Sequence, residues 1–144
     1  MKIQITNKML KPNLLAPKTD QSAGIDLYAC IDSTVRLQPG EIHKFNSGIR
    51  IAIDPGYVGC IFPRSSTGLK GLWLANITGI IDSDYRGDVV VAIKNTSKDE
   101  IAVNPMDRIA QLVVMPHYIH DNTHFVPVLD VTERGDNGFG STGK

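Results

Sequence analysis

The sequence predicts an all-β fold, a jelly roll or distorted β-barrel with one short helix and a flexible C-terminal arm. Short runs rich in β-branched residues recur at roughly ten-residue spacing, which is typical of sandwiches and jelly rolls. No apolar period of 3.6 residues persists for three turns. The last eleven residues contain four glycines, and such a composition at a chain end favours mobility. We therefore expect a β domain over residues 1–133 and an arm over residues 134–144.

Individual elements follow from alternation and turn signals. Apolar and polar residues alternate over 2–6 and 48–53, and β-branched residues dominate 57–63, 88–94 and 108–115. These five runs are predicted strands. Turns are predicted at Pro39-Gly40, Asp54-Pro55-Gly56 and Asn104-Pro105, because proline lacks the N–H of a ladder and glycine readily adopts turn conformations. The one predicted helix is a short turn over 65–72.

Composition limits the function classes. With 144 residues, the chain is long enough for one domain with a sizeable core. The formal net charge is zero, which argues against broad, salt-driven binding of nucleic acid but leaves room for a small nucleotide. The sequence contains no run of about 18 apolar residues, so it predicts no membrane-spanning helix. Cys30 and Cys60 are too few for a disulfide framework, so we expect reduced cysteines in a cytoplasmic protein.

Two segments combine polar residues with predicted strand ends. Arg64, Ser65 and Ser66 follow the strand over 57–63, where they are either a phosphate site or a helix cap with a surface arginine. Asp82 follows two isoleucines and is either a turn former or a poised base. The residues alone leave both pairs of interpretations open.

Two further polar side chains lie within apolar strands. Gln111 needs a hydrogen-bond partner from backbone, water or ligand. Asp26 lies between Ile25 and Leu27, and alternation predicts a solvated carboxylate on the outward face.

His117, His120 and His124 raise the question of a metal site. No helix holds their spacing, so exposed loop histidines are the expectation.

The arm has a composition suited to covering a nucleotide. Its glycines free backbone N–H groups to surround an anion, and Ser141, Thr142 and Arg134 add donors and charge. Phe139 offers a flat face to a base.

Five segments, in order, resemble the five motifs of the trimeric dUTP diphosphatase (dUTPase) family. They are residues 23–28, 63–68, 76–88, 108–112 and the arm with its Arg-Gly-x-x-Gly-Phe-Gly-Ser-Thr run. Each motif is weak alone, but the ordered set is highly specific and spans residues 23–143. The resemblance implies a jelly-roll homotrimer with three active sites between subunits. One subunit would supply the first, second and fourth motifs, a second the third motif, and the remaining one its arm.

The resemblance also implies a reaction. Asp82 would activate the water that attacks the α-phosphorus of dUTP, releasing dUMP and pyrophosphate. Such an activity keeps uracil out of DNA and supplies dUMP for thymidylate synthesis. Mg²⁺ would be chelated mainly by the phosphates, with Asp26 reaching the waters of the ion.

The remaining site residues are assigned by the same resemblance. The uracil edge would be recognised by Asn76 and the backbone near Gly79 and Val90. Tyr85 would lie under the deoxyribose, and Phe139 would cover the base. The phosphate ligands would be Arg64, Ser65, Ser66 and Gln111 for the α/β portion, and Arg134, Gly140, Ser141 and Thr142 for the γ-phosphate.

Two other functions stay open at this stage. The related dCTP deaminases resemble this chain in fold and in the Arg-Ser-Ser segment, but Ala92 stands where their deaminating glutamate is expected, and alanine cannot shuttle a proton. The chain could instead be a nucleotide-responsive binding protein whose arm signals dUTP occupancy to a regulatory partner.

Overall fold

The computed structural model describes residues 1–118, 120 and 123–137. Within them the chain forms ten strands and two short helices. The elements are β1 (Lys2–Ile5), α1 (Pro12–Leu15), β2 (Gly24–Tyr28), β3 (Val35–Leu37), β4 (Ile42–Ala52), β5 (Tyr57–Pro63), α2 (Ser65–Leu69), β6 (Leu72–Leu74), β7 (Gly79–Ile81), β8 (Asp88–Asn95), β9 (Ile101–Val103) and β10 (Arg108–Pro116).

Two four-stranded antiparallel sheets make up the body of the fold. Their strand orders are β1-β4-β8-β6 and β2-β10-β5-β7, and β3 pairs with β9 in a small third sheet. Strand β8 shows how sequence sets the faces: Val89, Val91 and Ile93 are buried, whereas Val90 and Lys94 are exposed. This two-residue period aims one face of the strand at the core.

The core is apolar and draws on both sheets. Phe45, Ile49 and Ile93 come from one sheet and Leu27 and Leu112 from the other, and each is at most 1% exposed. Burying a side chain of this size stabilises the fold by about 1.5–3 kcal/mol before the entropy of ordering is subtracted.

All five predicted strands are confirmed, and the all-β fold class with them. Strand β4 begins at Ile42 and is longer than predicted. The predicted helix ends at Leu69, and a second helical turn, α1, begins at Pro12. Proline suits a first helical position because its missing N–H needs no partner there. Neither helix in the described part of the chain is long and apolar enough to cross a membrane.

A glycine in β4 brings two elements into close contact. Gly48 has φ +73°, and a Cβ there would lie 2.6 Å from the Cys30 sulfur and 2.8 Å from Asn7 Cβ. Its N–H donates to Asn46 Oδ1 at 2.7 Å, within the irregular stretch of the β4–β8 ladder. Both cysteines are free, as expected, and burial raises the pKa of the Cys30 thiol.

Substituting Gly48 by alanine should therefore destabilise the fold more than the same change at Gly40. Gly40 also has positive φ, +82°, but no atom lies within 4 Å of its ideal Cβ. Gly40→Ala should cost roughly 1–2 kcal/mol of backbone strain, and Gly48→Ala should add about 1–3 kcal/mol of overpacking. Urea denaturation measures both, and equal losses would contradict the close-contact explanation.

Candidate active site

One cluster of candidate residues is organised around the Asp26 carboxylate. Arg64 Nε lies 2.9 Å from Asp26 Oδ1, and Arg108 Nη1 lies 3.3 Å from Oδ2. The Asp26 side chain is only 12% exposed, so the prediction of a solvated carboxylate is wrong. Alternation did aim Asp26 away from the core, but the long arginine side chains from β10 and from the end of β5 cover it.

The serines next to Arg64 begin α2. Arg64 is the N-cap residue, with extended backbone, and no side-chain hydrogen bond caps this helix in the described chain. Ser65 and Ser66 are both exposed. No hydrogen bond therefore supports the interpretation of this segment as a helix cap. Ser65 and Ser66 are instead exposed to solvent, next to Arg64 in the sequence.

Gln111 finds its partner in the backbone. It lies on β10 opposite Asp26 on β2 and Phe62 on β5, and its Nε2 donates to the Pro63 carbonyl at 3.3 Å. Gly24 makes room for it, because a Cβ there would lie 3.0 Å from Gln111 Oε1. The amide thus fixes the chain just before Arg64.

An open pocket of about 480 Å³ brings these groups together. Asp26, Arg64, Ser65 and Gln111 line it, so four residues predicted from three separate motifs share one surface. Lys18 and Ser22 also line it; sequence reasoning missed both, because they lie in an irregular segment without a pattern. Ser66 lines an adjacent groove on the other side of Arg64.

A second pocket, of about 220 Å³, contains the candidate base. Asp82, Tyr85 and Val90 line it with Ile80, Ile81 and Asp88. Asp82 is exposed, and its carbonyl accepts the N–H of Tyr85 at 3.1 Å. The structure therefore supports the interpretation of Asp82 as a turn residue, and its exposed carboxylate at this pocket leaves the interpretation as a base a prediction.

Tyr85 lies over a glycine. A Cβ at Gly87 would collide with the Tyr85 hydroxyl and ring, and the hydroxyl donates to the Asp88 carbonyl at 3.1 Å. The Tyr-Arg-Gly-Asp run is therefore a packing unit that holds the ring flat against its own turn.

Strands β7 and β8, although close in sequence, do not pair with each other as a hairpin. Strand β7 pairs with β5, and β8 pairs with β4 and β6, so the segment connects the two sheets. Gly79 is buried against Ile61, and Asn76 is exposed outside the pocket that contains Asp82. The β-branched run over 88–94 correctly predicted β8, but a sequence pattern cannot show which strands pair.

The two pockets lie apart within one chain. Ile81 pairs with Gly59 on β5, whereas Arg64 follows the far end of the same strand. Arg64 lies five residue steps beyond Gly59, which is roughly 17 Å of extended chain at about 3.3–3.4 Å per residue. The pockets have no lining residue in common.

The structure describes part of the predicted arm and all three candidate histidines. Arg134 is exposed, and its Nε donates to the Asn137 carbonyl at 3.1 Å. Phe139, Gly140, Ser141 and Thr142 lie outside the described residues. His117, His120 and His124 are exposed, and the described chain contains no group of three or more His, Cys, Asp or Glu side chains suited to a metal ion.

Comparison with known sequences identifies the family. The profile of the dUTPase family matches residues 11–143. The chain belongs to the dUTPase family. It is 42% identical to the deoxyuridine 5′-triphosphate nucleotidohydrolase of Janthinobacterium sp. (strain Marseille), over 100% of this chain and 97% of that protein. The enzyme of the same name from Nitrosospira multiformis is 44% identical over 99% of this chain and 96% of its own length.

Solved dUTPase structures show the same fold. The dUTPase of Staphylococcus bacteriophage 80alpha, solved with dUPNHPP, superposes with a TM-score of 0.81 at 26% identity, covering 99% of this chain and 98% of the phage protein. The Streptococcus mutans dUTPase gives a TM-score of 0.70 at 26% identity, over 83% of this chain and 98% of its own. The predicted jelly roll is thereby confirmed.

An ion pair supports the turn that contains Asp82 and Tyr85, and it should respond to acid. Arg50 Nε donates to Asp88 Oδ1 at 2.7 Å, and this hydrogen bond is the main reason that the pKa of Asp88 is lowered. A depressed carboxyl pKa stabilises the fold above the unfolded value of about 3.9, and the contribution is lost as pH falls through the folded value. The melting-temperature difference between wild type and Arg50→Gln should therefore be full at neutral pH and shrink below about pH 4.

Arg36→Gln is the matched control, because Arg36 pairs with Glu100 at 2.8 Å and likewise lowers the pKa of that carboxyl. Both variants should show the acid dependence. Only Arg50→Gln should accelerate hydrogen exchange of amides 82–87. A melting difference that is constant down to pH 2 would refute the assignment.

Proposed function

We propose that this protein hydrolyses dUTP to dUMP and pyrophosphate, at sites completed by a neighbouring copy of the chain. Its family membership marks it as a dUTP diphosphatase. The observation that carries the proposal is the division of the site: the cationic pocket around Arg64 and the carboxylate of Asp82 lie at opposite ends of β5. Water attack on the α-phosphorus needs both within a few ångströms of that atom, and one chain cannot provide this.

The pocket of Asp82 suits a deoxyuridine. Ile80, Tyr85 and Val90 give it an apolar lining, with exposed fractions of 59%, 43% and 44%. A sugar placed on the Tyr85 ring has little space for a 2′-hydroxyl. Uracil presents an N–H between two carbonyl groups, and the backbone near Gly79 and Val90 with Asn76 would supply the complementary groups. Cytosine would leave them unpaired, at about 1–3 kcal/mol for each.

Asp82 is proposed as the general base. Its carboxylate is exposed at the edge of the pocket, where it can accept a proton from a water aimed at the α-phosphorus. Such a base contributes roughly 10²–10⁴-fold to the rate. The phosphate pocket of the other chain would stabilise the charge that develops on the phosphoryl oxygens.

The phosphates would contact Arg64, Ser65, Ser66 and Gln111. Mg²⁺ would fit this arrangement as an ion held mainly by the phosphates, because each Asp26 oxygen already forms an ion pair with an arginine, and its remaining lone pairs would accept hydrogen bonds from the waters of the ion. The ion would neutralise phosphate charge, and Asp26 would orient its waters.

The C-terminal segment supports assembly with neighbours, which we propose to be a homotrimer. Phe125, Val128, Leu129 and Val131 are 78–98% exposed in the single chain. Exposed apolar side chains this close together indicate a surface buried by another protein. The arm that follows, residues 134–144, would then reach an active site, where Phe139 covers the base and Arg134, Gly140, Ser141 and Thr142 hold the γ-phosphate.

Deamination of dCTP has no support at the corresponding position. Ala92 lies on β8 opposite Lys44, and alanine offers no acid or base there.

Asp82→Asn should lower the rate of pyrophosphate release from dUTP by roughly 10²–10⁴-fold, because the general base is lost. A non-hydrolysable dUTP analogue should still bind. Asp84→Asn is the matched control, since Asp84 is an exposed carboxylate in the same turn and lines neither pocket. Its rate should equal that of the wild type. Normal hydrolysis by Asp82→Asn would rule out the assignment of the base.

Removal of residues 134–144 should cost most of the activity and leave the oligomer intact in light scattering. Phe139→Ala should weaken binding of the dUTP analogue by about 1–3 kcal/mol, the contribution of one stacked base, and Phe139→Trp should restore it. A truncated protein with full activity would show that the arm has no role.

A further inference from the structure

The second arginine of the Asp26 cluster has no role in the proposed reaction so far. Arg108 begins β10 and lies opposite Tyr28, at a register shift in the β2–β10 ladder. It does not line the pocket that contains Gln111 and Ser65. It lines the adjacent groove, with Ser66, Lys70 and Asp107, and Arg64 separates the two. Arg108 therefore meets the pocket of Gln111 and Ser65 through Asp26 and Arg64, while it shares the adjacent groove with Ser66.

The geometry gives Arg108 an effect on Arg64. A carboxylate normally binds an arginine side on, through both oxygens and two N–H groups. Here Arg64 uses Nε on Oδ1, and Arg108 occupies Oδ2. Arg64 is therefore held by one nitrogen, and the outer edge of its guanidinium stays available to a ligand.

The charges of Asp26, Arg64 and Arg108 also favour an effect of Arg108 on ligand binding by Arg64. One carboxylate beside one arginine is neutral, whereas one carboxylate beside Arg64 and Arg108 leaves a net charge of +1. Asp26 is 12% exposed and Arg64 24% exposed, so water screens this charge less than it would on the open surface. The pKa of the Tyr28 hydroxyl is raised, mainly by burial and then by the negative charge of Asp26. The positive charges of Arg108 and Arg64 oppose this shift, so the three side chains act on the same group.

We propose that Arg108 is a positioning residue for triphosphate binding: it occupies one oxygen of Asp26, so that Arg64 presents a free guanidinium edge and an uncancelled charge to the phosphates. The inference rests on the proposed function, because it assumes that the pocket of Arg64 receives the phosphates of dUTP.

The test compares Arg108→Gln, Arg108→Lys and Lys70→Gln. Lys70 is exposed in the same groove and forms no ion pair with Asp26, so Lys70→Gln removes an equal charge without touching the cluster. Arg108→Gln should raise KM for dUTP on the order of tenfold, the scale of one charged hydrogen bond. Arg108→Lys should recover part of the loss, and Lys70→Gln should stay near wild type.

Binding of deoxyuridine, dUMP, dUDP and a non-hydrolysable dUTP analogue separates positioning from folding. The loss in Arg108→Gln should grow with the number of phosphates and be absent for deoxyuridine. In an Asp26→Asn background, Arg108→Gln should have a smaller effect, since no carboxylate charge remains to be neutralised. Equal losses for deoxyuridine and the dUTP analogue, or unchanged binding of the analogue, would overturn the proposal. If wild type releases no pyrophosphate from dUTP, the proposed function fails instead, and the binding series still decides the role of Arg108.

Discussion

Strand β5 is the constraint on which the rest of the site depends. It is an inner strand of its sheet, with β10 on one side and β7 on the other. Gly59 allows this close packing, because a Cβ there would lie 2.8 Å from Ile53 and 3.2 Å from Ile81. With β7 fixed near Gly59 and Arg64 beyond Pro63, the rigid strand keeps the candidate base away from the phosphate pocket. A single chain thus has two separate pockets, and the proposed assembly would join one pocket on one chain to the complementary pocket on the next.

The charge of the pocket that contains Arg64 depends on one partly buried carboxylate. Asp26 holds two arginines from different elements, so the ends of β2, β5 and β10 are tied together where the anion would bind. A carboxylate alone would repel an anion, so its presence beside a proposed phosphate site needs an explanation. The second arginine makes the cluster net positive, and the carboxylate then limits side-chain freedom while it neutralises only one of the two positive charges. Preorganisation of this kind reduces the entropy lost when a ligand binds.

Much of this could be predicted from the sequence, and the failures have physical reasons. Alternation identified β1 and part of β4, and β-branched runs identified β5, β8 and β10, but β3, β6, β7 and β9 have three residues each, too few to show either signal. The order of the five motifs identified the family. Asp26 was predicted to be solvated, because alternation gives the direction of a side chain and not what long arginines from other strands will cover. The pairing of β7 with β5 depends on contacts distant in sequence, and neither Lys18 nor Ser22 lies in a patterned segment.

Mixing two inactive variants tests the divided site most directly. Arg64→Ala removes the phosphate half from its own chain, and Asp82→Asn removes the base from its own. If each site combines Arg64 of one chain with Asp82 of another, an equal mixture refolded together has both intact residues in about one quarter of sites by random assortment in a closed oligomer. Recovery of about that fraction of wild-type pyrophosphate release is the predicted result. A mixture as inactive as its separate components would mean that one chain supplies both residues, contrary to the structure of β5 described above.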